Sequence, residues 1–495
     1  MTAKTLMFQG TGSDVGKSII VAGLCRLASN RGISVAPFKP QNMSNNAAVC
    51  SDGGEIGRAQ ALQAQACRLP PSVHFNPVLL KPQSDQAAQV VVHGQVLCVE
   101  SASSYMQRKR GSLLPEVLSS HRHLCKQYDL VLVEGAGSAA EVNLRAGDIA
   151  NMGFARAANI PVCIIADIDR GGVIAAIAGT QTVLEPEDQK LVTGFIVNKF
   201  RGDPSLFDDG LTYIENTTGW RSFGVIPWLD MAGKLPQEDA VSLEQIGRAR
   251  AEDGGRTIKI AAPMLSRIAN FDDLDPLRLE QGVDVQFVPP GQPIPLDVDA
   301  VVLLGTKSAI ADLRFLRQQG WHHDIHAIAR TGRNVLGICG GFQMLGAQII
   351  DKDGHDGDPG TEFGLNLLNV VTTMGSEKTV VQSCGVHEAT GIRLSGYEIH
   401  VGRSDGPDTL SPFSLLQSGP DGAVSTKGNV YGTYLHGLFG SDEFRRYWLN
   451  QLRPGARSLS NHVESYGHKV DGLLDELANA LDNRLDVDAL LAGAR

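Results

Sequence analysis

Residues 10–18 read GTGSDVGKS, between an apolar strand-like run and a segment with helical spacing. No other feature constrains the fold as tightly. A glycine-rich turn that leaves a strand and opens a helix aims backbone amides at one point beside a helix N-terminus, which suits phosphate. Behind it there must be an α/β sheet, because ligands on such sheets sit beyond the carboxyl ends of the strands. Gly10, Thr11, Gly12 and Gly16 form the turn; Lys17 would neutralise β/γ-phosphate charge, and the Ser18 hydroxyl would reach Mg2+. The common spelling has four residues between its first glycine and Gly-Lys, whereas five separate Gly10 from Gly16. The loop is a variant, and the expected ligand is ATP with Mg2+.

The flanking pattern agrees. Strand-like runs at residues 5–9, 34–38, 130–134, 162–166 and 194–198, with another near 224–227, alternate with helical spacing at 18–28 and 56–66. Such alternation predicts a parallel sheet covered on both faces. Residues 247–256 (GRARAEDGGR) are polar, end in Gly-Gly and read as a linker. A second series follows at 258–262, 283–288, 300–304 and 335–338, then β-rich pieces at 365–372, 397–400 and 429–434. From about residue 441 the chain reads as helical, ending in an amphipathic packing run (Leu473, Leu474, Leu477, Ala480, Leu481). A chain of 495 residues exceeds one ordinary core. The expected units are 1–246, a nucleotide-binding domain; 258–445, a second α/β domain; and 446–495, a helical extension.

A formal charge of −10 argues against nucleic acid as partner. No apolar run approaches a membrane span, and Met1-Thr2-Ala3-Lys4 leads directly into a strand without a signal-peptide layout. Eight cysteines include no Cys-x-x-Cys pair, which fits a reducing, cytoplasmic location. A homo-oligomer is left open.

Two local patterns carry chemistry. The strand VLVEGAGS (131–138) places Glu134 at its carboxyl end, where a carboxylate meets a metal; Glu55 or Asp52 is a second candidate, either of which also reads as a solvated loop acid. Asn198 closes the strand GFIVN, to read an adenine edge or simply to form a turn. In NVLGICGGFQMLG (334–346) a strand runs through Gly-Ile-Cys-Gly-Gly into a helix. Small residues around Cys339 permit a strained elbow that exposes the sulfur, and a helix N-terminus favours thiolate. The base expected for it is His436, at the end of an apolar strand in GTYLHG (432–437); His121, His123, His322, His323 and His326 read as solvated. Acid–base assistance of this kind contributes about 10²–10⁴-fold.

The loop spelling and the 131–138 strand resemble the dethiobiotin-synthetase-like branch of P-loop proteins, which phosphorylate carboxylates and hold Mg2+ with that glutamate. The Cys339 elbow with His436 resembles class I glutamine amidotransferase domains of flavodoxin-like fold, which release ammonia from glutamine through a thioester. That resemblance implies an oxyanion-hole amide from Gly305, within VVLLGTK (301–307). It also implies a glutamate two residues after the histidine, but position 438 is Leu.

Further segments, KPQNMSNN (39–46), GEIGRAQ (54–60), DIANMGF (148–154), DIDRGG (167–172) and GYEIHVGR (396–403), are similar to the cobyric acid synthase family of cobyrinate-amidating ligases, whose members lack that glutamate. The resemblance implies ATP- and glutamine-dependent amidation of the b, d, e and g carboxylates of a corrinoid, adenosylcobyrinic acid a,c-diamide. Lys39, Gln41, Asn42, Asn45, Arg145 and Arg170 would then meet the substrate. Asp148 would bind substrate or cap a helix, and Glu398 or His400 would replace the missing carboxylate or face the acceptor. Alternatives are cobyrinic acid a,c-diamide synthase, expected to carry a Gly-Pro-Asp-type segment at 39–42; a nucleotide switch with a non-catalytic amidotransferase-like module, which an intact Cys339 and His436 oppose; and an isoglutamine-forming cell-wall ligase, usually split over two chains.

Overall fold

The computed structural model of the chain describes residues 3–83, 87–101, 104–105, 109–238, 257–357, 359–453 and 465–495. The stretch read as a linker, 247–256, lies outside them.

The first half builds on β1 (Lys4–Gly10), α1 (Lys17–Asn30), β2 (Val35–Phe38), α2 (Arg58–Ala66), β3 (Leu130–Ser138), β4 (Val162–Asp167), β5 (Val192–Phe200) and β6 (Arg221–Pro227). Its sheet runs β6-β5-β4-β1-β3-β2, all parallel. These strands are apolar along their length because helices cover both faces. The carboxyl ends of β1 and β3 lie side by side, with Phe8 in register with Glu134, so the glycine loop and Glu134 share one crevice.

The second half builds on β7 (Ile258–Pro263), β8 (Val283–Val288), β9 (Ala300–Leu303), β10 (Asn334–Ile338), α3 (Gly340–Leu345), β11 (Val371–His387), β12 (Arg393–Asp405), β13 (Ala423–Val424), β14 (Val430–Thr433) and β15 (Leu435–His436). The order is β8-β7-β9-β10-β14-β13, parallel apart from the antiparallel β13 edge. β11 and β12 form a long antiparallel hairpin, and β12 pairs with β15, setting Tyr397 opposite His436.

The chain then returns to its beginning. Helix α4 (Tyr466–Asp482) buries Leu474, Leu477 and Leu481 in the core that α1 shares with β1 and β3. The amphipathic run thus packs on the first half, and the backbone of Arg495 pairs with that of Thr5. Among the described residues no helix is long and apolar enough to cross a membrane.

Candidate active site: two reaction centres in one chain

The loop after β1 delivers Lys17 and Ser18 at the first turn of α1, behind Gly16 at φ 96°. Lys17 folds back over the loop, donating to the carbonyls of Gly12 (2.8 Å) and Gly137 (2.9 Å). Ser18 Oγ donates to Glu134 Oε1 (2.7 Å), and Lys39 Nζ (2.9 Å) and Gln63 Nε2 (2.6 Å) reach the same carboxylate. Burial would raise the Glu134 pKa, but these partners outweigh it and hold the group below the usual glutamate value. A hydroxyl and an ionised carboxylate at one point fit a Mg2+ that takes its remaining ligands from phosphate and water. Among the described residues no three His, Cys, Asp or Glu side chains gather to hold a metal alone.

Around them lies a cavity of about 1590 Å³, lined by Lys17, Ser18, Lys39, Gln41, Asn42 and Glu134 among others. That exceeds the ~300–1,000 Å³ of an ordinary small-molecule site, so a nucleotide and a bulky acceptor fit together. Asn42 donates to Gln60 (2.9 Å), and Gln41 accepts from Tyr105 (2.8 Å). Asn198 also lines the cavity, but its amide donates to the Val15 carbonyl (2.8 Å) and braces the loop.

Other expectations need correction. Glu55 does not line this cavity with Glu134: it is buried between Lys81 (2.8 Å) and Lys378, one ammonium on each carboxylate oxygen. Asp148 accepts three backbone amides, from Ala150, Asn151 and Gly153 (2.7–2.9 Å), so it caps a helix instead of facing substrate. Arg145 is held by Asp188 through two bonds, 2.6 and 2.8 Å. Asn45 does not line the cavity, and its buried Oδ1 accepts no hydrogen bond among the described residues. His121 is core, not solvated, packed between Phe38 and Phe154, and burial pushes its pKa down to about 4.

The second centre forms at the β10–α3 junction. Cys339 adopts φ 55°, ψ −111°, a strained conformation for a non-glycine residue. A side chain at Gly337, Gly340 or Gly341 would collide with its surroundings, which explains the glycines. The sulfur lies 3.4 Å from the Ile399 carbonyl, and His436 faces it as a hydrogen-bonding partner. Gly305 packs under the same imidazole: a Cβ there would stand 3.1 Å from His436 Cε1.

The orienting carboxylate is Asp273, which sequence reasoning missed. Its Oδ2 accepts from His436 Nδ1 (2.7 Å) and its Oδ1 from the Gly437 amide (2.6 Å). Holding the proton on Nδ1 aims Nε2 at the sulfur. Neither Glu398 nor His400 fills this role. Glu398 accepts from Ser383 and Ser418 and lies 3.5 Å from His400 Nε2; the His400 ring stacks on Tyr434. Burial disfavours charge on His436, yet Asp273 and Cys339 raise its pKa to about 10.

A glycine-rich loop beside a buried carboxylate in one half, and a strained cysteine facing a His-Asp pair in the other, are the parts a nucleotide-using, glutamine-hydrolysing ligase needs. The comparisons agree: residues 6–243 match the CobQ/CobB/MinD/ParA nucleotide binding domain, and residues 259–444 the CobB/CobQ-like glutamine amidotransferase domain. The chain is 59% identical to the cobyric acid synthase of Hyphomonas neptunium (99% of this chain, 98% of that one). It is 57% identical to that of Paracoccus denitrificans and 54% to that of Brucella suis, each over 99% of both chains. It belongs to the cobyric acid synthase family.

Proposed function

We propose that the chain amidates the b, d, e and g carboxylates of adenosylcobyrinic acid a,c-diamide to adenosylcobyric acid, consuming ATP and glutamine at each round in cobalamin biosynthesis. The observation that carries this reading is the pair of intact centres in one chain, next to 54–59% identity with the relatives over nearly all of its length.

In the second half Cys339 attacks the glutamine side-chain carbonyl, with the Gly305 amide as the proposed oxyanion donor. His436 gives its proton to the departing ammonia, leaving a γ-glutamyl thioester; it then takes a proton from the water that releases glutamate. In the first half an acceptor carboxylate oxygen attacks the γ-phosphorus of ATP, expelling ADP and forming an acyl phosphate. Ammonia displaces inorganic phosphate from that intermediate and leaves the amide. Ser18 and Glu134 would hold Mg2+, which supplies charge neutralisation on the phosphates. Lys17 neutralises the same charge, and Lys39, Gln41 and Asn42 face the acceptor.

Mass spectrometry of the corrinoid after incubation with ATP, Mg2+ and glutamine tests the assignment. Four successive losses of about one dalton, each an OH replaced by NH2, are expected; only two would transfer the chain to the a,c-diamide reaction. Cys339→Ala is expected to lose glutamine-supported product and keep ammonium-supported product. Full glutamine-supported activity in that variant would remove the glutaminase from the mechanism.

A further inference from the structure

Asp273 does not hold its place unaided. Two of the three residues that precede it are gripped by the first half of the chain. Arg58, the first residue of α2, lies with Nε 3.0 Å from Asp272 Oδ2. Asn46 Oδ1 accepts from the Asn270 amide (2.6 Å), and Asn270 Nδ2 donates to the Ala47 carbonyl (2.7 Å) and to the Tyr397 hydroxyl (2.9 Å). The Arg58 amide in turn donates to the Asn46 carbonyl (3.1 Å), so the two gripping residues are fixed to each other. Tyr397 stacks on His436, ring centroids 5.2 Å apart and planes 13° from parallel. Thus residues 270 and 272, in the turn that leads into the carboxylate that orients the base, are both held from the other domain.

We propose that Arg58 is a positioning residue of the glutaminase centre, acting across the domain boundary: through Asp272, and together with Asn46, it fixes the 270–273 turn so that Asp273 stays on His436 Nδ1. The inference rests on the reading of Cys339 and His436 as the glutaminase. Helix α2 gives it a further consequence, since Gln63 and Gln60 on its next turns contact Glu134 at 2.6 and 3.4 Å. One nine-residue helix thus contacts Glu134 at one centre and, through Asp272, the turn that carries Asp273 at the other. Arg58 lines a smaller cavity of about 240 Å³ with Tyr397 and Gln382, not the large one that holds the phosphate loop, so its effect is separable from acceptor binding.

The test uses the full chain and two readouts: glutamate release from glutamine, and amidation driven by ammonium salt. Arg58→Met is expected to lower the kcat of glutamate release by about tenfold or more with KM little changed, and to leave ammonium-driven amidation within about twofold. The pH profile of glutamate release should shift with it, because the groups facing the imidazole are Asp273, Cys339 and Tyr397, with Asp272 and Arg58 behind them. Arg58→Lys, which can still pair with Asp272, should recover part of the loss. Should Arg58→Met not accumulate, R58M/D272N, which leaves no unpaired buried carboxylate, carries the same expectation. Wild-type kcat and pH profile in these variants would overturn the proposal, and so would parallel loss of both activities, which marks a merely structural residue. A Cys339→Ala chain that still releases glutamate would overturn the underlying glutaminase reading instead.

Discussion

At His436, burial and charge pull in opposite directions, and the magnitudes decide the chemistry. Burial would keep the imidazole neutral; Asp273 and Cys339 outweigh it and raise the pKa to about 10, so at neutral pH the ring is charged beside the sulfur. A charged imidazole holds the proton that the leaving ammonia of the proposed reaction needs. Asp273→Asn removes that support and presents the wrong donor to Nδ1, so glutamate release should fall by about 10²–10⁴-fold while ammonium-driven amidation persists. Equal rates in the variant and the parent would show that another group orients the base. The same pKa predicts how stability depends on pH. A folded-state value of about 10 against an ordinary 6.5 means the contribution is complete below pH 6.5 and fades as pH rises toward 10. Thermal unfolding across that window should show the decline in the parent and a shallower one in Asp273→Asn. Cys339 and His436 were legible in the sequence because each sits in its own glycine-marked strand end. Asp273 was not: it lies 163 residues before His436, in an acidic FDDLD run that carries no local mark of its partner.

Elements follow the same division between local signal and distant partner. The amphipathic spacing of Leu474, Leu477 and Leu481 announces a packing face, but nothing local to α4 says that the face lies on α1, more than four hundred residues earlier. Of the long β11–β12 hairpin, only the start of β11, in the β-rich piece at 365–372, and the piece at 397–400 were legible. Exposed and part-buried residues follow one another along β11 with no sustained apolar face, so it lacks a strand period. Where α1 meets α4, Gly23 lets them approach: a Cβ there would stand 2.5 Å from Leu481 Cδ1 and 2.9 Å from Leu477 Cγ. Around this apolar seam Asn30 donates to Asp475 (2.9 Å), and Arg31 pairs with Asp482 and Asp488 (both 2.7 Å). Exposed pairs of this kind contribute about 0–1 kcal/mol each, and the buried Arg26 guanidinium pairs with Asp471 across the same seam beside the apolar packing. Gly23→Leu should therefore destabilise the first half by about 1–3 kcal/mol through overpacking. Because α1 carries Lys17 and Ser18, nucleotide affinity should weaken with it. Urea unfolding and nucleotide titration check both, and an unchanged midpoint would mean that α4 is not load-sharing with α1.

Across the whole molecule the two halves meet through polar contacts as well as apolar ones, and Glu55 is the most heavily charged of these. It is fully buried, pairs with Lys81 from its own half at 2.8 Å, and is reached by Lys378 on β11 of the other half. Burial alone would raise its pKa, but the two ammoniums bring it down to about 2. Its contribution is therefore present above pH 4.5 and is lost as pH falls toward 2. The lysines depend on it as much as it depends on them. Lys307 stands in the same neighbourhood, its pKa already pushed down to about 8 by burial and by the positive charges of Lys378 and Lys81. Glu55→Gln keeps the shape and removes the negative charge, stranding buried ammoniums at the domain boundary. Breaking a buried pair on one side in this way costs about 3–5 kcal/mol. The loss should be greatest near pH 7 and should shrink as pH rises past the Lys307 value, where a neutral amine no longer repels its neighbours. The decline that His436 brings, which starts above pH 6.5 and runs toward pH 10, is common to both chains and cancels in the difference between them. Urea unfolding of both chains at pH 7 and above pH 8 measures that difference. If Glu55→Gln were as stable as the parent at pH 7, the Lys81–Glu55–Lys378 cluster would not be what holds the halves in register.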